Sequence, residues 1–190
     1  MNMKYARPYE QTLRAQQAWE TGARLLEVAE GLFAREPFDR VGLEAVARAA
    51  GVTVPTVQRR FGNKEGLFLA CVDAIRARVQ AQRPTPLASD RRAAIRQLVD
   101  HYEAEGRMIW NFLRQEDDVP ALKDGMAEAR RFHRSWVEAA FGSGDDRRTD
   151  ALVAATDFFI WKLLRLDLGR DREDVEHTMV RLVDAITGGC

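Results

Sequence analysis

The sequence predicts an all-α protein of about nine helices: an N-terminal three-helix helix-turn-helix domain, then a C-terminal helical domain. Three observations predict it. Apolar residues recur three and four positions apart, and beyond residue 86 no segment alternates as a strand does. A helix, a glycine and a second helix follow one another between Leu43 and Phe61. Pro84 and Pro86 then interrupt the helical pattern and form a stiff joint, which sets the expected domains at residues 1–83 and 84–190.

The elements follow from local signals. Met1 to Glu10 reads as a flexible arm carrying Lys4 and Arg7. From about Gln11 to Arg35 one helix can run, interrupted only by Gly22 and ending before Pro37. Leu43, Val46, Ala47 and Ala50 give the next helix an apolar face, and Gly51 stands where that helix must stop, because glycine tolerates the left-handed backbone of a tight turn. Val52 fills the angle between two helices. Thr53 suits the following N-cap, its hydroxyl accepting from the backbone N–H of Thr56. Pro55 lies in that helix's first turn, where a missing N–H is harmless. Val57 and Phe61 anchor this second helix on the first, leaving Thr56, Gln58, Arg59 and Arg60 to point elsewhere. A fourth helix is expected from near Asn63 to Gln82.

Past the joint, Ser89 can cap a helix running to about Glu105, with a break at Gly106 and a short helix holding Met108, Ile109, Phe112 and Leu113. Glu116, Asp117, Asp118 and Pro120 open another helix towards Phe141, and Gly142 to Gly144 form a loop. Two last helices are expected at about Asp146 to Leu168 and Asp171 to Thr187, separated at Gly169.

Composition narrows the class. At 190 residues the chain can bury a substantial core, and 46% hydrophobic with 31% charged residues is ordinary for a globular protein. No long apolar run opens the chain and none later approaches a membrane span, so neither a signal peptide nor membrane insertion is expected, and the location expected is cytoplasmic. Cys71 and Cys190 are too few for a disulfide framework or a zinc site; Cys71 suits a helix face and Cys190 a terminal thiol. Net charge is zero, but residues 1–83 hold 13 Lys/Arg against 9 Asp/Glu (+4) and residues 84–190 hold 16 against 20 (−4). A basic module joined to an acidic one fits a protein that meets nucleic acid with one end.

A short helix presenting polar and basic side chains from a fixed corner is how a protein reads a DNA major groove. A helical hairpin that merely packs satisfies the same spacing, so the surroundings decide. Upstream, Leu25, Leu26, Ala29, Leu32 and Phe33 line a first helix, followed by Phe38; downstream, Phe61, Asn63, Lys64, Glu65 and Leu67 open a fourth. This block resembles the DNA-binding domain of the TetR family of bacterial transcriptional regulators, over about a quarter of the chain. Several positions depart from the family pattern. Pro37 replaces a glycine, Val41 and Gly42 replace a threonine pair, Gln58 replaces a tyrosine, Arg60 replaces a histidine, and Pro55 stands at a position that is often glycine. The operator sequence therefore does not follow from the resemblance.

On this reading Gly42, Thr53, Val54, Pro55, Thr56, Gln58, Arg59, Arg60 and Lys64 are the candidate DNA-facing residues. Gln58 suits adenine and Arg59 guanine, Gly42 offers a backbone N–H to a phosphate, and Arg60 and Lys64 suit phosphates. The resemblance further implies a homodimer paired through the two final helices, residues 146–187. It also implies an effector pocket in the C-terminal domain, and a displaced fourth helix that releases a palindromic double-stranded operator. Phe158, Phe159, Trp161, Leu163, Leu164 and Leu166 agree, since they make the penultimate helix apolar on more than one face, as a helix buried on both sides is. Val175, Met179, Leu182, Val183 and Ile186 add an apolar stripe to the last helix.

Three of the four tryptophans lie in the C-terminal half. Arg107, Trp110, Phe132, His133, Trp136, Asp157, Phe158 and Trp161 are the candidate ligand-binding residues, with Phe112, His101 and Arg114 as neighbours in the same pattern; they imply a small, apolar or aromatic effector. Aromatics at helical spacing also make plain core, and that alternative stands at this level. No cofactor, metal site or catalytic residue is expected. His101 and Glu105 lie four apart, yet neither His101 nor His133 belongs to a paired-histidine motif, and no phosphate-cradling loop or activated nucleophile is present. A constitutive or architectural dimeric DNA binder without an effector remains the alternative.

Overall fold

A computed structural model describes residues 6–83 and 90–188, with side chains from residue 15 onward. Among the described residues the chain is all-helical: α1 (Ala6–Phe33), a 3-10 turn (Phe38–Arg40), α2 (Leu43–Ala50), α3 (Val54–Phe61), α4 (Lys64–Gln82), α5 (Arg91–Leu113), α6 (Pro120–Phe141), α7 (Asp146–Thr156), α8 (Phe158–Lys162), a π-turn (Leu163–Asp167) and α9 (Arg172–Thr187). It divides into two compact units, Met1–Ile75 and Arg76–Cys190, the division falling inside α4. The joint expected at Pro84 and Pro86, the Ser89 cap, Lys4 and Cys190 lie outside the described residues.

The first unit is closed by apolar packing. Leu25, Ala29, Val46, Ala47, Ala50, Val57 and Leu67 are buried. Phe33, Phe38 and Phe68 pack mutually, with centroids 4.8 Å apart for Phe33–Phe68 and 5.2 Å for Phe38–Phe68, both edge to face. Gly51 closes α2 at φ +67°, in the left-handed region, and Val52 N donates to Ala47 O at 2.9 Å, satisfying a carbonyl the helix end would leave open. Arg24 Nε donates to Ala50 O at 3.0 Å and ties α1 to that corner.

The second unit packs α5, α6, α7, α8 and α9 around Ile95, Leu98, Val99, Tyr102, Trp136, Val137, Leu152, Phe158, Trp161, Val175, Met179 and Val183. Three of its helices, α5, α7 and α9, start on aspartates: Asp90, Asp145 and Asp171 each accept a backbone N–H three residues on, at 2.8 Å.

Five local expectations are corrected. Residues 6–10, read as part of an arm, are helical, so α1 begins at Ala6 rather than about Gln11, and it ends at Phe33. The Thr53 hydroxyl does not cap α3 through the Thr56 amide; it lies 3.0 Å from the Thr56 hydroxyl, and the Thr53 carbonyl takes the Thr56 N–H. Gly106 does not break its helix: α5 runs unbroken to Leu113, and a Cβ at Gly106 would stand 2.6 Å from the Trp161 ring. The glycine there is a seat for an indole. Asp90, not a residue before it, caps α5. Finally, the helix expected from Asp146 to Leu168 is broken at Asp157, whose extended backbone ends α7 while its carboxylate accepts from Phe159 N at 2.9 Å and starts α8.

Candidate functional site

Two groups of residues bear on function, one in each unit. In the first unit, Val57 is fully buried under α3 and Val54 and Thr56 are partly covered, while Thr53, Pro55, Gln58 and Arg59 are exposed. The short helix thus shows one polar, basic face, fixed in place by Val57 below and the Gly51 turn before it. Gly42 is the N-cap of α2 in extended conformation, and its carbonyl accepts from Ala45 N and Val46 N.

Arg60 and Lys64 are engaged with the scaffold. Arg60 Nη1 donates to Ala18 O at 2.8 Å, and its guanidinium fills the space at Gly22, where a Cβ would meet Nη2 at 1.9 Å. Lys64 Nζ donates to Phe38 O at 3.1 Å and sits 4.3 Å from the Phe38 ring centroid. Arg60 therefore ties α3 to α1 and Lys64 ties the start of α4 to the 3-10 turn, and each keeps further N–H donors. Cys71 is buried on α4 with its Sγ 3.9 Å from Leu26 O, and desolvation, then the Glu30 charge, pushes its thiol up to about 12, so it is no thiolate at neutral pH.

The eight candidate ligand residues fall into two sets. Trp136, Phe158 and Trp161 are buried in the core of the second unit, with His133 beside them, Phe132 partly covered and Asp157 partly buried at its break. Arg107 and Trp110 lie outside this set: Arg107 is exposed, and Trp110, 37% exposed, meets Phe159 edge to face and the Lys162 ammonium.

Three of these residues, Phe132, His133 and Trp136, meet at one that sequence reasoning did not single out. Arg83, directly after α4, is 5% exposed and its backbone N–H donates to Val79 O. Its Cζ lies 4.5 Å from the Trp136 ring centroid and 5.4 Å from that of Phe132. Nη2 lies 3.2 Å from His133 Nδ1. A guanidinium can only donate, so Nδ1 accepts and the imidazole proton sits on Nε2. That nitrogen donates to Thr156 Oγ1 at 3.1 Å, and the hydroxyl donates to Leu152 O at 2.7 Å. The Tyr102 hydroxyl donates to Thr156 O at 3.0 Å. The chain of donors is complete only with His133 neutral.

Burial, then the nearby Arg83 charge, holds His133 down at about 3; burial, then Arg83 and Arg78, holds His101 at about 4. Both imidazoles are neutral at pH 7, so Arg83 is the one formally charged side chain among the buried described residues. Among those residues it has no carboxylate partner. Arg83 Nε, Trp136 Nε1 and His101 Nδ1 are buried with no hydrogen-bond partner at all. Desolvation lowers the Arg83 pKa from its ordinary value, though a guanidinium remains protonated. Burying such a cation costs several kcal/mol, which the two aromatic faces offset only in part.

Among the described residues no three His, Cys, Asp or Glu side chains are placed to hold a metal ion, and no helix is long and apolar enough to cross a membrane.

Comparison with known proteins bears on the first unit and on the fold. Residues 25–71 match the family described as bacterial regulatory proteins, tetR family. The HTH-type transcriptional regulatory protein RaaS of Mycobacterium tuberculosis is 41% identical over 68 residues, which is 36% of this chain and 32% of that protein. The matched segment thus spans about a third of that relative. The whole fold resembles that of a tetR-family transcriptional regulator from Streptomyces coelicolor, with a TM-score of 0.70 over 88% of this chain and 80% of the other at 20% identity. A transcriptional regulator from Rhodococcus sp. RHA1 gives 0.66 over 88% and 96% at 23% identity. Identities this low establish a shared fold.

Proposed function

We propose, from the match of residues 25–71 to the tetR family of bacterial regulatory proteins, that the chain is a sequence-specific, DNA-binding transcriptional regulator. In this reading it is a cytoplasmic homodimer that represses from a palindromic operator and is released by a small-molecule effector. The observation that carries the reading is the α3 face: Thr53, Pro55, Gln58 and Arg59 exposed on a helix whose opposite side is sealed by Val57. Gln58 and Arg59 read base edges, with Thr53, Val54, Pro55 and Thr56 bordering them. Gly42, Arg60 and Lys64 meet phosphates with the donors their scaffold contacts leave over.

One recognition helix spans few base pairs, whereas two related by a two-fold axis read half-sites about 34–36 Å apart. A partner surface suits this. Phe159 (53% exposed), Leu163, Leu166 (54%), Leu168 and Leu182 leave an apolar strip along α8, the π-turn and α9. In the π-turn Leu168 N donates to Leu163 O, one residue beyond the α repeat, and Leu163, Leu166 and Leu168 are exposed there while Leu164 packs on the core. We assign DNA binding to the N-terminal unit, and effector binding and dimerisation to the C-terminal unit. Catalysis has no part in the reading.

The test is selection from a randomised duplex pool by the full chain, followed by fluorescence anisotropy and a salt titration. Enrichment of a palindrome supports the reading, and that operator then serves to screen effectors. Absence of binding even at low salt overturns it. A palindrome that no small molecule releases favours the constitutive or architectural alternative.

A further inference from the structure

Resting on that reading, we propose that the effector is a monocarboxylate with an apolar body, its carboxylate seated on Arg83 and its body against Trp136 and Phe132. Three features of the second unit point there. Arg83 is buried and has no carboxylate partner among the described residues, although a desolvated guanidinium is the side chain best shaped to take one, through parallel N–H donors.

Arg83 Nε and Trp136 Nε1 are both buried, unpartnered donors, and they belong to one stacked pair, since Arg83 Cζ lies 4.5 Å from the Trp136 ring. A carboxylate brings two acceptor oxygens, the complement of two donors.

The charge also balances at one. His133 is held as an acceptor by Arg83 and as a donor by Thr156, an arrangement possible only for the neutral ring, so a single negative charge neutralises the cluster and a dianion would leave one over. The aromatic faces of Trp136 and Phe132 on the same guanidinium supply the apolar wall.

The experiment uses the full chain and two matched pairs: octanoate with octanamide, and 3-phenylpropionate with 3-phenylpropionamide. Tryptophan fluorescence titration reads binding, and the pairs distinguish an aliphatic from an aromatic body. At least one acid is expected to bind at least about tenfold more tightly than its amide, because a site that pairs a charged group discriminates against the analogue lacking it. Arg83→Met is expected to erase that preference. Arg83→Lys keeps the charge without the paired donors, is expected to retain part of the preference, and decides the matter where the methionine variant does not fold by circular dichroism. Equal affinity for acid and amide in both pairs, no saturable binding of either acid, or a preference that survives the Arg83 substitutions overturns the proposal. Operator selection on the same preparation separates the two failures: a palindrome enriched without any acid preference overturns the carboxylate alone, whereas no enrichment strikes the regulator itself.

Discussion

The two units bury different things. The first closes over hydrocarbon: three phenylalanines edge to face, with Leu25, Val46, Val57 and Leu67 around them. All six buried polar or charged residues among those described, Arg83, His101, Asn111, His133, Thr149 and Thr156, lie in the second. Apolar packing depends on shape but needs no polar partner, and close packing yields a stiff corner. Buried polar groups are different, because each needs a matched partner and an unmatched one destabilises the fold. The first unit is thus built for shape, and the second retains groups that a purely structural core would omit.

The largest expected effect tests the apolar side. Phe68→Ala removes the ring that meets both Phe33 and Phe38 and should cost about 3–5 kcal/mol, read as a lower denaturant midpoint for the first unit. A loss below about 1 kcal/mol would mean that the trio is not the keystone of that unit.

On the polar side, acid should act through the histidines. Their folded pKa values, about 3 for His133 and about 4 for His101, lie below the ordinary 6.5, so the unfolded chain takes up protons first as pH falls. Their contribution is complete above about pH 6.5 and is lost towards about pH 4 for His101 and about pH 3 for His133, by at most about 1.4 kcal/mol per pH unit for each ring. Denaturant unfolding at several pH values measures that slope, and His101→Gln should flatten it by about one proton. An unchanged slope in the variant would remove His101 from the account.

A smaller effect belongs to the recognition face. Gln58→Ala should cost about 1–3 kcal/mol at one operator position and leave binding to random DNA nearly unchanged. Equal loss on both would assign Gln58 to the backbone rather than to a base. The helix caps provide the finest comparison. Asp157 caps α8 with its side chain and Thr53 caps α3 without one, so Asp157→Ala should cost about 1 kcal/mol and Thr53→Ala only a few tenths. Thermal unfolding of the two variants checks the order.

Much of the fold was legible in the residues because local signals carried it. Gly51 at the turn, Val57 and Val46 on facing sides, Pro120 opening α6 and Asp171 opening α9 act through backbone conformation and helical period, which neighbours in sequence determine. Trp136, Phe158 and Trp161 were legible as an aromatic set for the same reason. Gly106 misled because a glycine reads locally as a break, whereas here the space it leaves is taken by Trp161, 55 residues further on. Asp157 was read as a ligand candidate inside a helix, and its cap role emerged only where α7 and α8 meet.

The sequence by itself therefore determined the helical class, the helix-turn-helix and the polar face of α3, since each depends on contacts a few residues long. The tertiary structure alone decided which polar side chains lost their water. Arg83 sits beside a proline in the sequence and reads as part of a joint; Trp136 and His133 lie about fifty residues beyond it. Desolvation depends on everything that surrounds a group in space, and no spacing along the chain encodes it.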